Sequence, residues 1–572
     1  MSKTPSRAQA EQAIAEFDDA TKDAIAAAMW QRSLDLSVIP DSLLAALASV
    51  KNSPSAFGDR MRAFLHYLSE HPVEHAPNFE KNYEHLLPYC NELSPQAAYA
   101  MTMNFLGPAA TVGYDMVPTV ADFRFPRDFG PKNRSQISWH FFVGSCWDVD
   151  GNEYGVEMMF FQAGLIPPFL AAGLGLTQDE NQVVELQLAI SQRGQQHWQA
   201  DPVVVAGTSG LVESAENPFE YHVGRNSMVC HRQDEFFPIT IKGWGLDRGE
   251  DPARELGVDI TFTSGKQYLF QGANGVMPAV DGIGTLYYSI PNIELDPSCS
   301  TLNLDGRTIE LVRGTFWFDR QWGYLSGVPS SKVLRAANFS GDPKPTGWDW
   351  FMAQLDGDRQ VTVFAPHEKE FSQFYERTGP TPPPVMTVQV GGSYMDADKN
   401  TTMTWGTLEV TDWIKAEHSP NPDRYLVTDT WYPNRWTFHF DDVVPPDIRS
   451  FTMTPIVNVA QSGYFGNGAQ YAEGAVVITT TSGQEIGRGF AESVSYANTR
   501  RTAHRLAGLP DSQAHIDSLA QSKIPKALAL FNTGYVLAHQ EDLARVVKAS
   551  AGLEFFSKPA DRPVPPASAQ SD

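Results

Sequence analysis

Between residues 113 and 500 the chain repeats one pattern: a short run rich in Val, Thr and aromatic residues, followed by a turn that ends in glycine. Residues 360–367 read QVTVFAPH, 424–432 RYLVTDTWY, 435–440 RWTFHF and 475–481 AVVITTT. Asp150-Gly151, Asp305-Gly306, Asp356-Gly357 and Ser482-Gly483 supply the turns. β-Branched and aromatic side chains suit a pleated, half-buried surface, and Asp-Gly pairs readily adopt the positive φ of a tight hairpin. The pattern specifies antiparallel sheet, hairpin after hairpin. With 44 Gly and 40 Pro spread over 572 residues, a mainly β architecture with many turns is expected.

The flanks have a different texture. Residues 1–112 are predicted to form an α-helical N-terminal region. Ile14, Phe17, Ile25, Met29 and Trp30 fall near one face, Asp41 can cap the run 42–50, and Met61, Phe64, Leu65 and Leu68 recur at helical spacing. Residues 501–556 read as a short C-terminal helical segment and 557–572 as a disordered tail. Inside the β region, SWHFF at 138–142, the turn at 150–151 and the apolar run 158–161 are echoed by GWDWF at 347–351, the turn at 356–357 and the run 361–364. The echo implies two related β domains, 113–295 and 296–500, with His140 in the first standing where Asp349 stands in the second.

A net charge of −24 argues against a phosphate-binding surface, so no nucleic-acid partner is expected and a substrate should be neutral or cationic. Cys90, Cys146, Cys230 and Cys299 are far apart and form no CxxC pair, which reads as reduced, buried thiols rather than a zinc or redox site. His71 and His75 in HPVEH are spaced i,i+4, but the proline spoils a helical metal motif, and they read as surface loop. GxSxG, P-loop and strand-linked GxGxxG motifs are absent. The N-terminal segment carries no long apolar stretch, so a cytoplasmic location is expected, with peripheral membrane contact left open and the oligomeric state unspecified.

The chemistry points to residues 314–351. GTFWFDRQWG and TGWDWF place Trp317, Trp322, Trp348 and Trp350 around two isolated carboxylates, Asp319 and Asp349. A carboxyl held among large rings is poorly solvated and stays protonated to higher pH, and the rings can shield a carbocation. That suits protonation of an alkene or removal of a hydroxyl. Strand alternation sends Trp348 and Trp350 to the face opposite Asp349.

These residues, taken in order, resemble the AttH/CrtC-like proteins, which include bacterial carotenoid 1,2-hydratases and fungal kievitone hydratase. The matching stretches are ISWHFFVGSCWDVDGNEYGVEMMFF from 137, LYYSIPNIELD from 286, GTFWFDRQWG and GWDWFMAQLDG, and YAEGAVVITTTSGQEIGRGFAE at 471–492. The resemblance implies two lipocalin-like antiparallel β-barrels side by side with a ligand cavity at or between them. It also implies acid-catalysed addition of water to an isoprenoid double bond without a cofactor. The family's D-H-N-W-G motif reads DRQWG here, so Arg320 replaces the histidine, and arginine cannot shuttle protons at neutral pH. The helical first hundred residues fall outside the resemblance.

Asp349 is the first candidate for the general acid and Asp319 the second, with His140 as a candidate to hold or activate water. Trp317, Trp322, Trp350, Trp139 and Arg320 are candidates for lining the substrate site, and no metal ligands are expected. Glu473 and Glu492, in the closing motif, are read as forming strand-end or inter-barrel salt bridges in preference to a functional role. The reading is a cofactor-independent hydratase or dehydratase acting on a small hydrophobic, isoprenoid-like alkene or tertiary alcohol. The alternatives are an isomerase or pericyclase working in the same cavity, or a non-catalytic binder of hydrophobic ligands.

Overall fold

The structure, a computed structural model, describes residues 6–16, 115, 117–118, 120–164, 177–207, 211–247, 252–265, 268–272, 274–280, 283–325, 347–367, 380–416, 430–464, 470–494 and 496. These residues are mainly β strand in two antiparallel sheets. The four glycine-ended turns expected from the sequence all join neighbouring strands. Asp305 and Gly306 are the two loop residues between Leu304 and Arg307, both at positive φ (53° and 75°), the geometry that suits a two-residue hairpin.

The second sheet closes. Its strands run in the order Ser450–Pro455, Trp431–Phe440, Thr401–Lys415, Met386–Met395, Arg359–His367, Gly347–Leu355, Glu485–Val494 and Gln470–Thr480, and the last pairs back onto the first. This is an eight-stranded barrel, a size whose interior side chains can just fill. Phe351, Val363, Val390, Leu408, Phe438 and Phe451 are among those that do.

The first unit is a 15-stranded sheet instead of a second ladder-closed barrel. It curls round until His197–Gln199 approaches Ile239–Asp247, where only isolated bonds span the gap, Asp201 N–H to Leu246 O (2.9 Å) and Gln199 N–H to the Asp247 carboxylate (3.1 Å). The strand at that edge has three residues, and Pro202 has no N–H to extend a ladder. Of the expected N-terminal helical region, Arg7–Ala15 is a helix with a capping box from Ser6 and Gln9, and its Ala10 and Ile14 are buried with the first unit's core. The other helical readings in 1–112 and 501–556, the tail, Cys90, His71 and His75 lie outside the described residues.

The expected boundary at 295/296 needs correction. Arg307–Leu325, which carries GTFWFDRQWG, pairs along its length with Ile137–Asp148 and Ile283–Leu295 and so belongs to the first sheet. The second unit begins at Gly347–Leu355. A tight hairpin joins Thr301–Leu304 to Arg307–Leu325, so the chain turns back into the first sheet there.

The two units meet face to face. In Ile137–Asp148, Phe142 and Cys146 turn into the first core while Phe141 and Val143 turn toward the barrel. In Gly347–Leu355, Phe351 and Ala353 turn into the barrel while Trp350 and Met352 turn toward the first sheet. Phe141, Val143, Met159, Trp317, Trp350, Met352, Ala475 and Phe490 are buried together in the resulting seam. The approach is tight at Gly155, where an added Cβ would stand 2.4 Å from the Ala475 Cβ. Arg488 of the barrel reaches Glu153 of the first sheet (3.1 Å), and Gly194 N–H bonds Ile456 O (2.8 Å).

Gly155→Ala should therefore wedge the seam and cost about 1–3 kcal/mol of stability in denaturant unfolding. Ala475→Gly in the same chain should restore most of it, and a purely additive double-mutant cycle would show that the contact does not limit the approach.

Candidate active site between the two β units

Four carboxyl groups converge on the seam. Asp319 and Glu157 come from the first sheet, on Arg307–Leu325 and Glu153–Gly164, and Glu473 and Glu492 from the barrel, on Gln470–Thr480 and Glu485–Val494. Register places them: Asp319 is opposite Phe141, Glu157 opposite Val143, and Glu492 opposite both Trp350 and Glu473. All four thus share the strand faces that carry the seam hydrophobics. Asp319, Glu157 and Glu473 are 4%, 1% and 3% exposed, so they have almost no access to water. Glu492 is partly exposed, beside the partly buried Trp348.

Their hydrogen bonding differs. Asp319 accepts from Ser289 Oγ, from Trp317 Nε1 (2.8 Å) and from the Tyr287 hydroxyl. Tyr287 in turn accepts from Trp350 Nε1 of the barrel (2.9 Å). Ser289 accepts from Gln271 Nε2 (2.8 Å), whose amide oxygen takes the Thr362 hydroxyl from the barrel (2.7 Å). Asp319 is thus tied to both units.

Glu157 accepts from Tyr471 at one oxygen (3.3 Å), and its other oxygen, Oε2, has no partner. Tyr471 also donates to Gln187 and accepts from Gln199 (3.0 Å). Glu473 Oε1 is likewise buried and unpartnered, while Glu492 Oε2 accepts from Trp348 Nε1 (2.9 Å). Among the described residues no Lys, Arg or His forms an ion pair with any of the four, so the expected inter-barrel salt bridges of Glu473 and Glu492 are not formed.

Burial pushes Asp319 up to about 7, against the pull of its three donors. Burial also raises Glu157, with the charge of Glu492 adding to it, and raises Glu473, with Glu157, Glu492 and Asp319 adding. Glu492 is raised in the same way, first by burial. A donor-rich environment favours the ionised form and an unpartnered oxygen in a dry seam favours the protonated one. Asp319 and Glu492, each raised to about 7, ionise more readily than Glu157 and Glu473, whose orphan oxygens favour the protonated form.

The structure divides the candidate residues among three compartments. Asp319, Trp317, Trp350 and Trp139 lie on the seam, Trp139 stacked at a tilt on Phe161 (4.8 Å) toward its partly exposed side. Asp349 turns the other way, into the barrel, where the Tyr496 hydroxyl donates to it (3.0 Å) among Trp413 and Tyr432. His140, Arg320 and Trp322 face the first unit's interior, because they alternate with the seam residues of their strands. Asp319 and Arg320 are adjacent in sequence and point to opposite faces. The three described cysteines also divide: Cys146 and Cys230 are buried but Cys299 is exposed, contrary to the expectation for that residue.

Arg320 and His140 have a clear structural task. Four consecutive carbonyls of the segment 127–130 are each captured by a side chain: Arg127 O by Lys132 Nζ (3.1 Å), Asp128 O by the Tyr288 hydroxyl (3.1 Å), Phe129 O by His140 Nε2 (2.9 Å) and Gly130 O by Arg320 Nη2 (2.7 Å). Arg320 also donates to Ser138 Oγ (2.7 Å) and Trp139 O (2.9 Å), and its guanidinium stands 5.1 Å from the Trp322 ring. Burial and the Arg320 charge hold His140 well below its ordinary value, so it donates as a neutral ring. Glu157 escaped the sequence reading. Its signal was parity: in GVEMMFF it is the one charged residue and shares a strand face with Met159 and Phe161.

The fold and this seam define a class: a two-unit β protein whose acidic groups are enclosed between a curled sheet and a closed barrel. The chain belongs to the AttH-like family, whose model matches residues 117–496. Among solved structures it is similar to an AttH protein from Nitrosomonas europaea, at 20% identity over 67% of this chain and 100% of that one, with a TM-score of 0.46. It is also similar to kievitone hydratase from Nectria haematococca, at 12% identity over 67% of this chain and 97% of that one (TM-score 0.43). A third is CghA with Sch210972, at 12% over 67% and 94% (TM-score 0.28). No curated protein sequence matches the chain. Among the described residues no group of His, Cys, Asp or Glu is arranged to hold a metal ion, and no helix is long and apolar enough to cross a membrane.

Two measurements test this placement. Arg320→Met leaves buried acceptors without donors and should cost about 3 kcal/mol in denaturant unfolding, with faster amide exchange around 127–130. A loss under about 1 kcal/mol would remove the guanidinium from this role. The second concerns pH. Native Asp319 keeps a proton that the unfolded chain releases near 3.8, so its stabilisation is complete below that value and lost as pH rises through about 7. His140, held neutral, acts in the opposite direction below its ordinary 6.5. The difference in thermal midpoint between wild type and Asp319→Asn therefore isolates the carboxyl, and it should shift steadily in favour of the variant between about pH 4 and 7.

Proposed function

We propose that the protein is a hydro-lyase that adds water to, or removes it from, a hydrophobic alkene or tertiary alcohol at the seam, using only side-chain acid–base chemistry. The observation that carries this reading is the unpartnered Glu157 Oε2, buried and raised toward its protonated form, in the same seam as the donor-rich Asp319. Two raised carboxyl groups that differ in hydrogen bonding, one rich in donors and one with an orphan oxygen, can divide the base and acid roles between them. It also agrees with the hydration chemistry that the sequence resemblance implies.

In the hydration direction the Glu157 carboxyl gives its proton to the alkene. A C–H bond forms from the π electrons and the O–H electrons remain on Glu157. The cation left at the more substituted carbon is flanked by Trp317, Trp350 and Phe141, each ring contributing about 1–2 kcal/mol when desolvated. Water adds through an oxygen lone pair and its surplus proton passes to the Asp319 carboxylate. Return of that proton to Glu157 through water completes the cycle. Dehydration runs the same steps backwards. General acid catalysis contributes about 10²–10⁴-fold, so proton position and cation shielding share the acceleration.

The test is incubation with a panel of terpenoid alkenes and tertiary alcohols in ¹⁸O-water, followed by mass spectrometry. Label should enter the product, and Glu157→Gln or Asp319→Asn should each lower the rate by about 10²-fold or more. Asp349→Asn, inside the barrel, should retain most activity. The opposite pattern, loss with Asp349→Asn and retention with the seam variants, would move the site into the barrel. Ligands bound but returned unlabelled by the wild type would favour an isomerase or a binder.

A further inference from the structure

Glu473 and Glu492 are direct cross-strand partners on the seam face of the barrel. Like charges directly opposite each other destabilise a sheet unless something lies between them. Among the described residues no Lys, Arg or His pairs with either glutamate, and Glu473 keeps a buried oxygen without a donor. A second group reaches the same strand from the other sheet: Glu157, whose Oε2 is also buried and unpartnered and whose Oε1 takes the hydroxyl of Tyr471, two residues from Glu473 on the same strand face. Two buried carboxyl oxygens, Glu157 Oε2 and Glu473 Oε1, therefore lack a hydrogen-bond partner.

The surroundings narrow what could supply one. Glu492 is partly exposed, with the Trp348 indole bonded to it, and Trp139 and Phe161 form a partly buried aromatic pair on the facing sheet. Paired carboxylates beside indole rings suit an organic cation, which gains from both the charges and the ring faces. Among the described residues these oxygens are not grouped as metal ligands.

We propose that Glu473, Glu492 and Trp348 form a recognition subsite for a protonated amine carried on an otherwise apolar substrate. This deepens the hydro-lyase reading and rests on it: the ammonium is held at the barrel side while the apolar body reaches Glu157 and Asp319. An ammonium between the two glutamates completes their ionisation, and the protons they held leave to solvent. The trio then carries one net negative charge, which keeps Glu157 protonated for its own step.

Isothermal titration calorimetry of the full chain tests this with cyclohexylmethylammonium and its neutral counterpart cyclohexylmethanol, near neutral pH, in phosphate and in Tris. The amine should bind at least tenfold more tightly than the alcohol, and its heat should differ between the buffers by the amount that release of about one proton or more requires. Glu473→Gln and Glu492→Gln should each weaken amine binding about tenfold or more while alcohol binding stays alike. Trp348→Phe, which keeps a ring but loses the indole N–H, should give a smaller loss and guards against a folding defect in the glutamate variants. Equal binding of amine and alcohol, no buffer dependence, or amine binding indifferent to both glutamates would overturn the proposal. Saturable binding of magnesium or calcium to the same glutamates with no amine signal would overturn it too. Amine binding that survives in Asp319→Asn, in a protein that never incorporates ¹⁸O, would sink the hydro-lyase reading and leave this subsite standing.

Discussion

Acids enclosed between two sheets, with no cation among the described residues to meet them, are the constraint on which the seam depends. Burial makes the charged form of each costly, so all four hold their protons to higher pH than free carboxyls do. The seam is consequently held together by contacts that do not depend on charge: the close backbone approach at Gly155 and Ala475, the indole-to-hydroxyl bond from Trp350 to Tyr287, and the amide relay through Gln271. Charged contacts stay at the edge, where Arg488 and Arg193 meet Glu153 and Glu485. Opening the seam and ionising it are two views of one equilibrium.

The same strands serve three compartments at once. Odd residues 317 and 319 face the seam, while 318, 320 and 322 face the first core. In the barrel, 348, 350 and 352 face the seam, while 349, 351 and 353 face the bore. A period-two structure lets one strand carry acid chemistry on one side and packing on the other, but a single-residue slip would exchange the two sets entirely.

Local signals in the sequence were sufficient for the hairpins, because an Asp-Gly turn and an alternating strand are decided by neighbours in the chain. The alternation also separated Trp350 from Asp349 correctly. Long-range pairing was not legible. Residues 314–323 and 347–351 look like one aromatic, acidic unit, yet the first stretch pairs with residues 137–147, and the pairing splits Asp319 from Asp349. The arginine in DRQWG read as a departure from catalytic chemistry; its partners turn out to be backbone carbonyls, which no side-chain motif announces. Glu157 was concealed by the opposite difficulty. A lone acid in an apolar strand looks like a solvent-facing residue until a second sheet is known to cover that face.

The captured carbonyls of residues 127–130 carry one more implication. Lys132, Tyr288, His140 and Arg320 grip the main chain and ignore what hangs from it. Every residue type offers the same carbonyl, so the grip itself sets no residue identity at these positions; Asp128, whose carboxylate holds Lys132, and Phe129, whose ring is buried in the first core, are tied by their side chains for other reasons. The captors have no such latitude, since each reaches a fixed point from a different strand or turn. Over evolutionary time this is therefore expected to leave an inverted imprint: more variation at Arg127, at the end of the held stretch, than among the scattered captors that, read along the chain, have nothing to do with one another.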